Sequence, residues 1–188
     1  MDGLPDSEAR LNCFALVTYI PDPLGRFLDD LRQELVPGCR PRAHVTILPP
    51  RPIFSEPEVA SEQVGAAAME TEPFEIQCGE VAIFPVTDVV FLELRNGARQ
   101  LRDLHHQLNS KHLEFREPFP YHPHITLAQD LPPGTVQAVA ELADRRWREF
   151  RFDRSFPVEN LSFVQSTAGN KWIDLAYHPL GAAESLVR

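Results

Sequence analysis

The sequence lacks long apolar segments. None of its apolar runs reaches the roughly 18 residues that a membrane-spanning helix needs. The opening stretch, MDGLPDSEAR, is polar and acidic, whereas a secretory signal has a basic start and an apolar middle. We therefore expect a cytoplasmic protein that does not contact a membrane.

Cysteine is scarce as well. Cys13, Cys39 and Cys78 are odd in number and far apart in the sequence. Such a set does not predict a disulfide framework or a zinc knuckle. Cys13 and Cys78 stand in apolar stretches, where a buried and unreactive thiol is the expected state.

Basic residues are outnumbered by acidic ones. Lys and Arg total 18 against 27 Asp and Glu, which gives a net charge of −9. This balance argues against broad, sequence-independent adhesion to nucleic acid, because such adhesion depends on many phosphate contacts. A single phosphate held in a locally basic groove stays compatible with it, because the field in a groove depends on the charges nearby.

Proline, in contrast, is abundant. The 18 prolines are nearly double the usual share of ~5%, and they cluster between segments, where they mark the ends of elements. Apolar residues at 43% and charged residues at 24% are ordinary for a globular protein. With 188 residues, the chain suits one domain, or one domain built from two similar lobes.

The order of predicted elements repeats. A strand predicted from apolar alternation is followed by a helix predicted from helical spacing, and then by a second strand. This series occurs once near the N-terminus and again in the second half of the sequence. Each second strand is followed by another helix. The early series covers 13–20, 22–35, 43–48 and 56–69, and the late one covers 89–95, 98–113, 123–129 and 135–150. This order predicts an internal duplication. Segments 74–84, 150–166 and 171–179 are predicted as further strands.

The second strand of each series carries the same pair of polar residues, a histidine and a threonine. RAHVTILPP contains His44 and Thr46, and PYHPHITLAQ contains His124 and Thr126. Residues two apart in a strand point to the same face, about 7 Å from each other, so each pair shares a face while the aliphatic residues between point to the core. Bringing the two strands together would place two imidazoles and two hydroxyls on one surface.

This set of side chains suits the cleavage of a phosphodiester. One group must activate the nucleophile and another must protonate the leaving oxygen, and histidine can do either near neutral pH. Hydroxyl groups can donate hydrogen bonds to the non-bridging phosphate oxygens. Since one such motif alone is a weak signal, the interpretation depends on its two copies.

HVTI and HITL resemble the paired H-x-[S/T]-apolar signature of the 2H phosphoesterase superfamily, which includes 2′-5′ RNA ligase-like and cyclic nucleotide phosphodiesterase proteins. The resemblance implies an α+β, bilobal, duplicated fold, with two antiparallel sheets around a central groove and helices on the outside. Residues 1–188 would then form a single domain of two pseudo-symmetric lobes. It also implies His44 and His124 as the catalytic acid and base, and Thr46 and Thr126 as phosphate binders.

Two departures from the family pattern weigh against RNA as the particular substrate. Gln129 follows the second motif, where many RNA-directed bacterial members carry a basic residue. The first motif continues into PPRP instead of the FLG-like sequence that is common in the RNA ligase branch. Neither departure touches the phosphoesterase chemistry.

Several residues near the motifs are further candidates for binding the substrate. Arg42 belongs to a group, with Arg40 and Arg51, that flanks the first motif and can add positive potential. Tyr121 is expected to line the groove. Lys171 is a candidate phosphate contact, and the neighbouring Trp172 either stacks a base or packs in the core.

The remaining histidines are expected to be structural. His122 stands two residues before His124, but no carboxylate or cysteine cluster completes a metal site in the sequence. It is interpreted as a loop residue at the mouth of the groove. The structural interpretation also applies to the histidines on predicted helix or surface positions, which are His105, His106, His112 and His178.

The sequence thus predicts a metal-independent phosphodiesterase that opens 2′,3′-cyclic phosphates of nucleotides or RNA ends. Two alternatives stay open: a 2′-5′ RNA ligase or 2′-5′ phosphodiesterase, and a nucleotide- or RNA-binding module without turnover. The expected partner is the small nucleotide or RNA-end substrate. No cofactor and no obligate protein partner are predicted.

Overall fold

The computed structural model describes residues 8–39 and 42–181. In these residues the strands are β1 Arg10–Tyr19, β2 His44–Arg51, β3 Phe74–Phe84, β4 Val89–Asn96, β5 His124–Ala128, β6 Ser155–Val158, β7 Asn160–Thr167 and β8 Trp172–Pro179. The α-helices are α1 Leu24–Leu35, α2 Pro57–Glu70, α3 Ala98–Leu108 and α4 Val136–Glu149. None of these helices is long and apolar enough to cross a membrane.

The strands form two four-stranded antiparallel sheets in which the motif strand has the same position. The first sheet has the order β2-β1-β7-β8 and the second has the order β5-β4-β3-β6. In both, the motif strand lies at the edge, beside the strand that precedes it in the chain. The series β1-α1-β2-α2 recurs as β4-α3-β5-α4. The predicted α+β fold with two antiparallel sheets is confirmed, whereas one two-lobed domain over residues 1–188 stays a prediction.

The elements form where the apolar pattern places them. Each motif strand buries the aliphatic residues that alternate with its His and Thr, and each of these side chains is at most 1% exposed (Val45, Ile47, Ile125 and Leu127). Helix α1 buries its leucines at three- and four-residue spacing, which is one face of a helix. Burying a side chain of this size contributes about 1.5–3 kcal/mol relative to leaving it in water. At the start of α1, the Asp22 carboxylate accepts a hydrogen bond from the Arg26 N–H (3.0 Å).

The two halves of the chain support each other's motif strands. Strand β2 contacts β5, so the motif-bearing edges of the two sheets meet. Helix α1 of the first half packs on β5, and helix α3 of the second half packs on β2. Most buried apolar side chains of both halves join in one continuous cluster. This cluster fixes the relative position of the two motifs.

The segment 150–166 differs from the continuous strand that its sequence predicts. The chain leaves the second sheet after β6, which pairs with β3, and enters the first sheet as β7, which pairs with β1. Pro157 is exposed on β6 at the sheet edge, where its missing N–H costs no ladder hydrogen bond. The helix predicted to reach residue 113 also ends earlier, at Leu108. There the Asn109 side chain accepts hydrogen bonds from the Phe115 N–H (2.9 Å) and from Arg51 (2.8 Å).

Candidate active site

The two histidines of the motifs occupy equivalent places in the two sheets. His44 is the first residue of β2, and His124 is the first residue of β5. Both are half-buried, as are Thr46 and Thr126 two residues further on, so the four side chains share the half-exposed faces of two strands that touch. The charges of the two rings interact, because a protonated His124 lowers the pKa of His44.

Each imidazole is oriented by the same hydrogen bond. The Nδ1 atom of His44 lies 2.6 Å from the Arg42 carbonyl oxygen, and the Nδ1 atom of His124 lies 2.6 Å from the His122 carbonyl oxygen. Since a carbonyl oxygen only accepts, both Nδ1 atoms carry the proton. In the neutral rings the Nε2 atoms are therefore unprotonated. Each Nε2 can take a proton as a base or, once protonated, give one as an acid.

The surroundings of His44 favour its neutral form. Burial is the main cause that lowers its pKa, to about 4, and the hydrogen bond to the Arg42 carbonyl opposes the shift. The positive charges of Arg32 and His124 lower it further. Arg32 is only 6% exposed and lies on α1. The positive charge of Arg32 that acts on His44 also favours an anion at the same place.

His124 has partners of its own. Burial lowers its pKa, the hydrogen bond to the His122 carbonyl raises it, the charge of His122 lowers it, and that of Glu93 raises it. Glu93 is paired with His124 across β4 and β5, and its Oε2 lies 3.6 Å from Nε2 of His122. The His124 ring also meets Phe84 edge to face, with 5.0 Å between the ring centroids. This side of the site therefore combines an aromatic ring with a nearby carboxylate.

His122 does not complete a metal site. Over residues 8–39 and 42–181, no three or more His, Cys, Asp or Glu side chains are grouped so that they can hold a metal ion. The ring of His122 is instead placed beside Glu93 and edge to face with Phe84, at 5.3 Å between ring centroids.

Tyr121 is hydrogen-bonded to the backbone of the first motif strand. Its hydroxyl donates a hydrogen bond to the Thr46 carbonyl oxygen (2.7 Å), and its ring stacks on His105 with 4.0 Å between centroids and 2° between planes. Burial, together with the charge of Glu117, raises the pKa of Tyr121, so its hydroxyl stays protonated and keeps donating. The structure thus places Tyr121 where it holds the Thr46 backbone.

Arg51 is turned into the core, away from the motif face. It is 2% exposed, and it donates to the Asn109 side chain (2.8 Å) and to the carbonyl oxygens of Leu113 (2.9 Å) and Pro49 (2.9 Å). It also forms an ion pair with Glu117. The expectation that Arg51 adds potential to the groove is therefore wrong, because its charge is engaged inside the protein. Arg40 lies outside the described residues.

Arg42 lies close to the first motif. Its guanidinium carbon is 4.2 Å from the centroid of the Tyr19 ring, and Tyr19 is the cross-strand partner of His44. The Tyr19 hydroxyl donates to Asp174 Oδ1 (2.5 Å) on β8. Arg42, Tyr19 and Asp174 therefore form a connected group beside His44.

Lys171 is not brought to the histidines. It follows β7, and its backbone N–H donates to the Thr167 hydroxyl (3.2 Å), while Thr167 pairs with Arg10 at the start of β1. His44 pairs with the other end of β1, and a strand of ten residues spans about 30 Å. The Lys171 side chain instead lies 3.9 Å from Glu8. Trp172 packs at the same far end of the sheet against an apolar cluster of Ala15, Val17 and Val164.

Sequence reasoning missed several residues of the site. Arg32 could have been noticed in the sequence, because it follows Leu28 by four residues and so falls on the apolar face of α1, where arginine is rare. Asp174 could have been noticed as well, because it interrupts an apolar strand. For Glu93 and Phe84 there was no such signal in the sequence, because their places beside His124 depend on strand pairing.

Comparison with known proteins identifies the family. The model of the 2′-5′ RNA ligase superfamily matches residues 20–170 of the sequence, which include both motifs. The chain belongs to the 2′-5′ RNA ligase superfamily. The resemblance to the 2H phosphoesterases, which rested on two tetrapeptides, is thereby confirmed.

Curated relatives carry the name "putative phosphoesterase". One from Oceanobacillus iheyensis is 41% identical over 71 residues, which cover 37% of this chain and 41% of that protein. One from Geobacillus kaustophilus is 26% identical over 165 residues, which cover 80% of this chain and 91% of that protein. The match thus spans less than half of the first relative and most of the second.

Solved structures share the fold. Escherichia coli LigT superposes with a TM-score of 0.65 at 19% identity, over 94% of this chain and 99% of LigT. Kluyveromyces marxianus Usb1 superposes with a TM-score of 0.52 at 16% identity, over 90% of this chain and 98% of Usb1. The chain accordingly has the LigT-like duplicated fold.

Proposed function

We propose that the protein opens 2′,3′-cyclic phosphates of nucleotides or RNA ends, with His44 and His124 as the acid/base pair. One neutral imidazole takes a proton from water as the water oxygen attacks phosphorus. The other, protonated, imidazole donates its proton to the ribose oxygen that leaves. One P–O bond to water forms and one P–O bond to ribose breaks, which leaves a phosphate monoester.

The observation that carries this proposal is the matched pair of Nδ1–carbonyl hydrogen bonds. They fix the same tautomer in both rings and leave both Nε2 atoms available for proton transfer. Thr46 and Thr126, two residues after the histidines on the same strands, are the proposed donors to the non-bridging phosphate oxygens. The buried charge of Arg32 favours an anion at the same place. LigT, which shares the fold, has been crystallised with phosphate and with 3′-AMP.

The proposal is tested by incubating the protein with the four nucleoside 2′,3′-cyclic phosphates and separating the monophosphates that form. A 2′-5′-linked dinucleotide in a parallel reaction distinguishes the 2′-5′ phosphodiesterase alternative. Product from the cyclic phosphates supports the proposal. Product from the dinucleotide alone overturns it in favour of that alternative, and no product from either substrate supports a binding module.

Turnover is expected to survive a large excess of EDTA. Acid, base and phosphate donors are all supplied by side chains of the two motifs, so the proposed step needs no metal-bound water. Initial rates with and without chelator provide the measurement. Loss of activity with EDTA and its return with zinc or manganese would contradict the metal-free step and would point to His122 as a ligand.

The dependence of kcat/KM on pH is expected to pass through a maximum. Below the lower ionisation both rings are protonated and no base is left; above the upper one both are neutral and no acid is left. Burial lowers the pKa of both rings, that of His44 to about 4, so both limbs should lie below the ordinary histidine value of ~6.5. The two limbs describe the pair and not one named histidine.

The limbs of the kcat profile are expected at higher pH than those of kcat/KM. A bound phosphate anion stabilises a protonated imidazole and so raises the pKa values of the pair in the complex. Both profiles come from initial rates at a series of pH values. A rate that rises with pH without turning over would contradict the paired mechanism, since a hydroxide-driven reaction behaves in this way.

A further inference from the structure

A cavity lies next to His44 on the same face of the first sheet. Its volume is about 250 Å³, and its wall is formed mainly by Tyr19, Arg42, Asn160, Ser162, Asp174 and Tyr177. Neither catalytic histidine lines it. It adjoins His44 through two of its wall residues, because Tyr19 is the cross-strand partner of His44 and the Arg42 carbonyl accepts the hydrogen bond from His44.

The size of the cavity limits what it can hold. Sites for drug-sized ligands measure about 300–1,000 Å³, so a smaller cavity takes one part of a ligand, such as a single ring system. Tyr19 and His44 face each other across β1 and β2, where Cα atoms of paired residues lie about 4.5–5.5 Å apart. A phosphate beside His44 would therefore leave the adjoining nucleoside within reach of the cavity.

The wall combines aromatic surface with a fixed acceptor. Tyr177 is 62% exposed and offers a ring face, and the Tyr19 ring is covered by the Arg42 guanidinium on one side. Asp174 is oriented by the Tyr19 hydroxyl, which occupies one of the roughly four acceptor positions of a carboxylate. An ionised carboxylate only accepts hydrogen bonds. It therefore favours a ring that presents N–H donors and disfavours one that presents carbonyl oxygens.

We propose that this cavity binds the nucleobase of the substrate and that Asp174 makes the site selective for guanine. Guanine carries two adjacent donors, its ring N1–H and its exocyclic amine, which match the two oxygens of a carboxylate. Uracil turns carbonyl oxygens toward the same acceptor and loses this pairing. The inference rests on the proposed opening of cyclic phosphates, and it adds the base of the preferred substrate.

Steady-state kinetics with guanosine, inosine and uridine 2′,3′-cyclic phosphates test the inference in the wild type and in Asp174→Asn. The wild type is expected to prefer guanosine over uridine by about 10- to 100-fold in kcat/KM, the usual worth of a good bidentate contact. Inosine, which lacks the exocyclic amine, should fall between them. Asparagine still accepts the Tyr19 hydrogen bond but replaces the second acceptor with a donor. Asp174→Asn should therefore lose most of the preference, measured within the variant as the ratio of its kcat/KM values for guanosine and uridine 2′,3′-cyclic phosphates.

Asp103→Asn serves as the matched control, because Asp103 is an exposed aspartate on α3, outside the cavity. It should keep the preference of the wild type. Equal kcat/KM values for the three substrates in the wild type would overturn the inference, as would a guanosine preference that persists in Asp174→Asn.

Calorimetric binding of guanosine and uridine 3′-monophosphates separates this inference from the proposed function. If no cyclic phosphate is opened, the proposed function fails, yet tighter binding of the guanosine monophosphate, lost in Asp174→Asn, would still support the base site. If cyclic phosphates are opened but both monophosphates bind equally, the inference alone fails.

Discussion

Replacing His44 or His124 with alanine is expected to lower kcat by about 10²- to 10⁴-fold, the usual contribution of a positioned acid or base. Each variant removes one of the two Nε2 atoms between which the proton transfers are divided. The loss in kcat should exceed any change in KM, because the imidazoles act on the reacting atoms. Initial rates with a nucleoside 2′,3′-cyclic phosphate at several concentrations give both constants.

The double variant should be little worse than either single one, since residues that act as a unit are not additive. His106→Ala is the matched control, because His106 is exposed on α3 and away from the motifs. It should keep the activity of the wild type. Circular dichroism and thermal unfolding establish that each variant is folded. A folded His44→Ala or His124→Ala with near-native kcat would show that its residue has been wrongly assigned.

Arg51→Met is expected to destabilise the fold by about 3–5 kcal/mol, the usual cost of breaking a buried ion pair by removing one partner. The two side chains of the Arg51–Glu117 pair are only 1% and 9% exposed. Removal of the guanidinium leaves the Glu117 charge buried and also leaves the carbonyl oxygens of Pro49 and Leu113 without this donor. Urea unfolding followed by circular dichroism measures the change in the free energy of unfolding.

A double-mutant cycle separates the ion pair from the packing of the arginine stem. Adding Glu117→Gln to Arg51→Met removes the unpaired charge, so the double variant should be more stable than the sum of the two single losses predicts. Arg99→Met is the control, because its pair with Asp103 is exposed and such pairs contribute at most about 1 kcal/mol. An effect of Arg51→Met no larger than that of Arg99→Met would contradict the buried network.

The sequence alone predicted which side chains share a face of each motif strand, because successive side chains of a strand point to opposite faces. His44 and Thr46 had to share one side once Val45 was assigned to the core, and the structure buries Val45 completely. Helical spacing likewise located α1 through its leucines. These features depend on residues that are close in the sequence, where periodicity is informative.

The rest of the site depends on which strands become neighbours. Asp174 reaches Tyr19 because the order β2-β1-β7-β8 brings together residues that are 155 positions apart. Lys171, three residues before Asp174, is close to it in sequence, yet it lies at the end of the first sheet away from His44. Tyr121 neighbours a motif in the sequence, but its hydroxyl is committed to the Thr46 backbone. Proximity to a motif in the sequence therefore did not predict which contacts these side chains make in the fold.

The central claim is that His44 and His124 transfer protons so that water can attack a cyclic phosphate. Its most direct test is turnover of a mixture of the four nucleoside 2′,3′-cyclic phosphates in oxygen-18-labelled water, followed by mass spectrometry of the monophosphates. The account predicts one heavy oxygen in the phosphate group of the wild-type product, and only background product from His44→Ala and His124→Ala. Product without heavy oxygen, or labelled product formed equally well by the two variants, would contradict it.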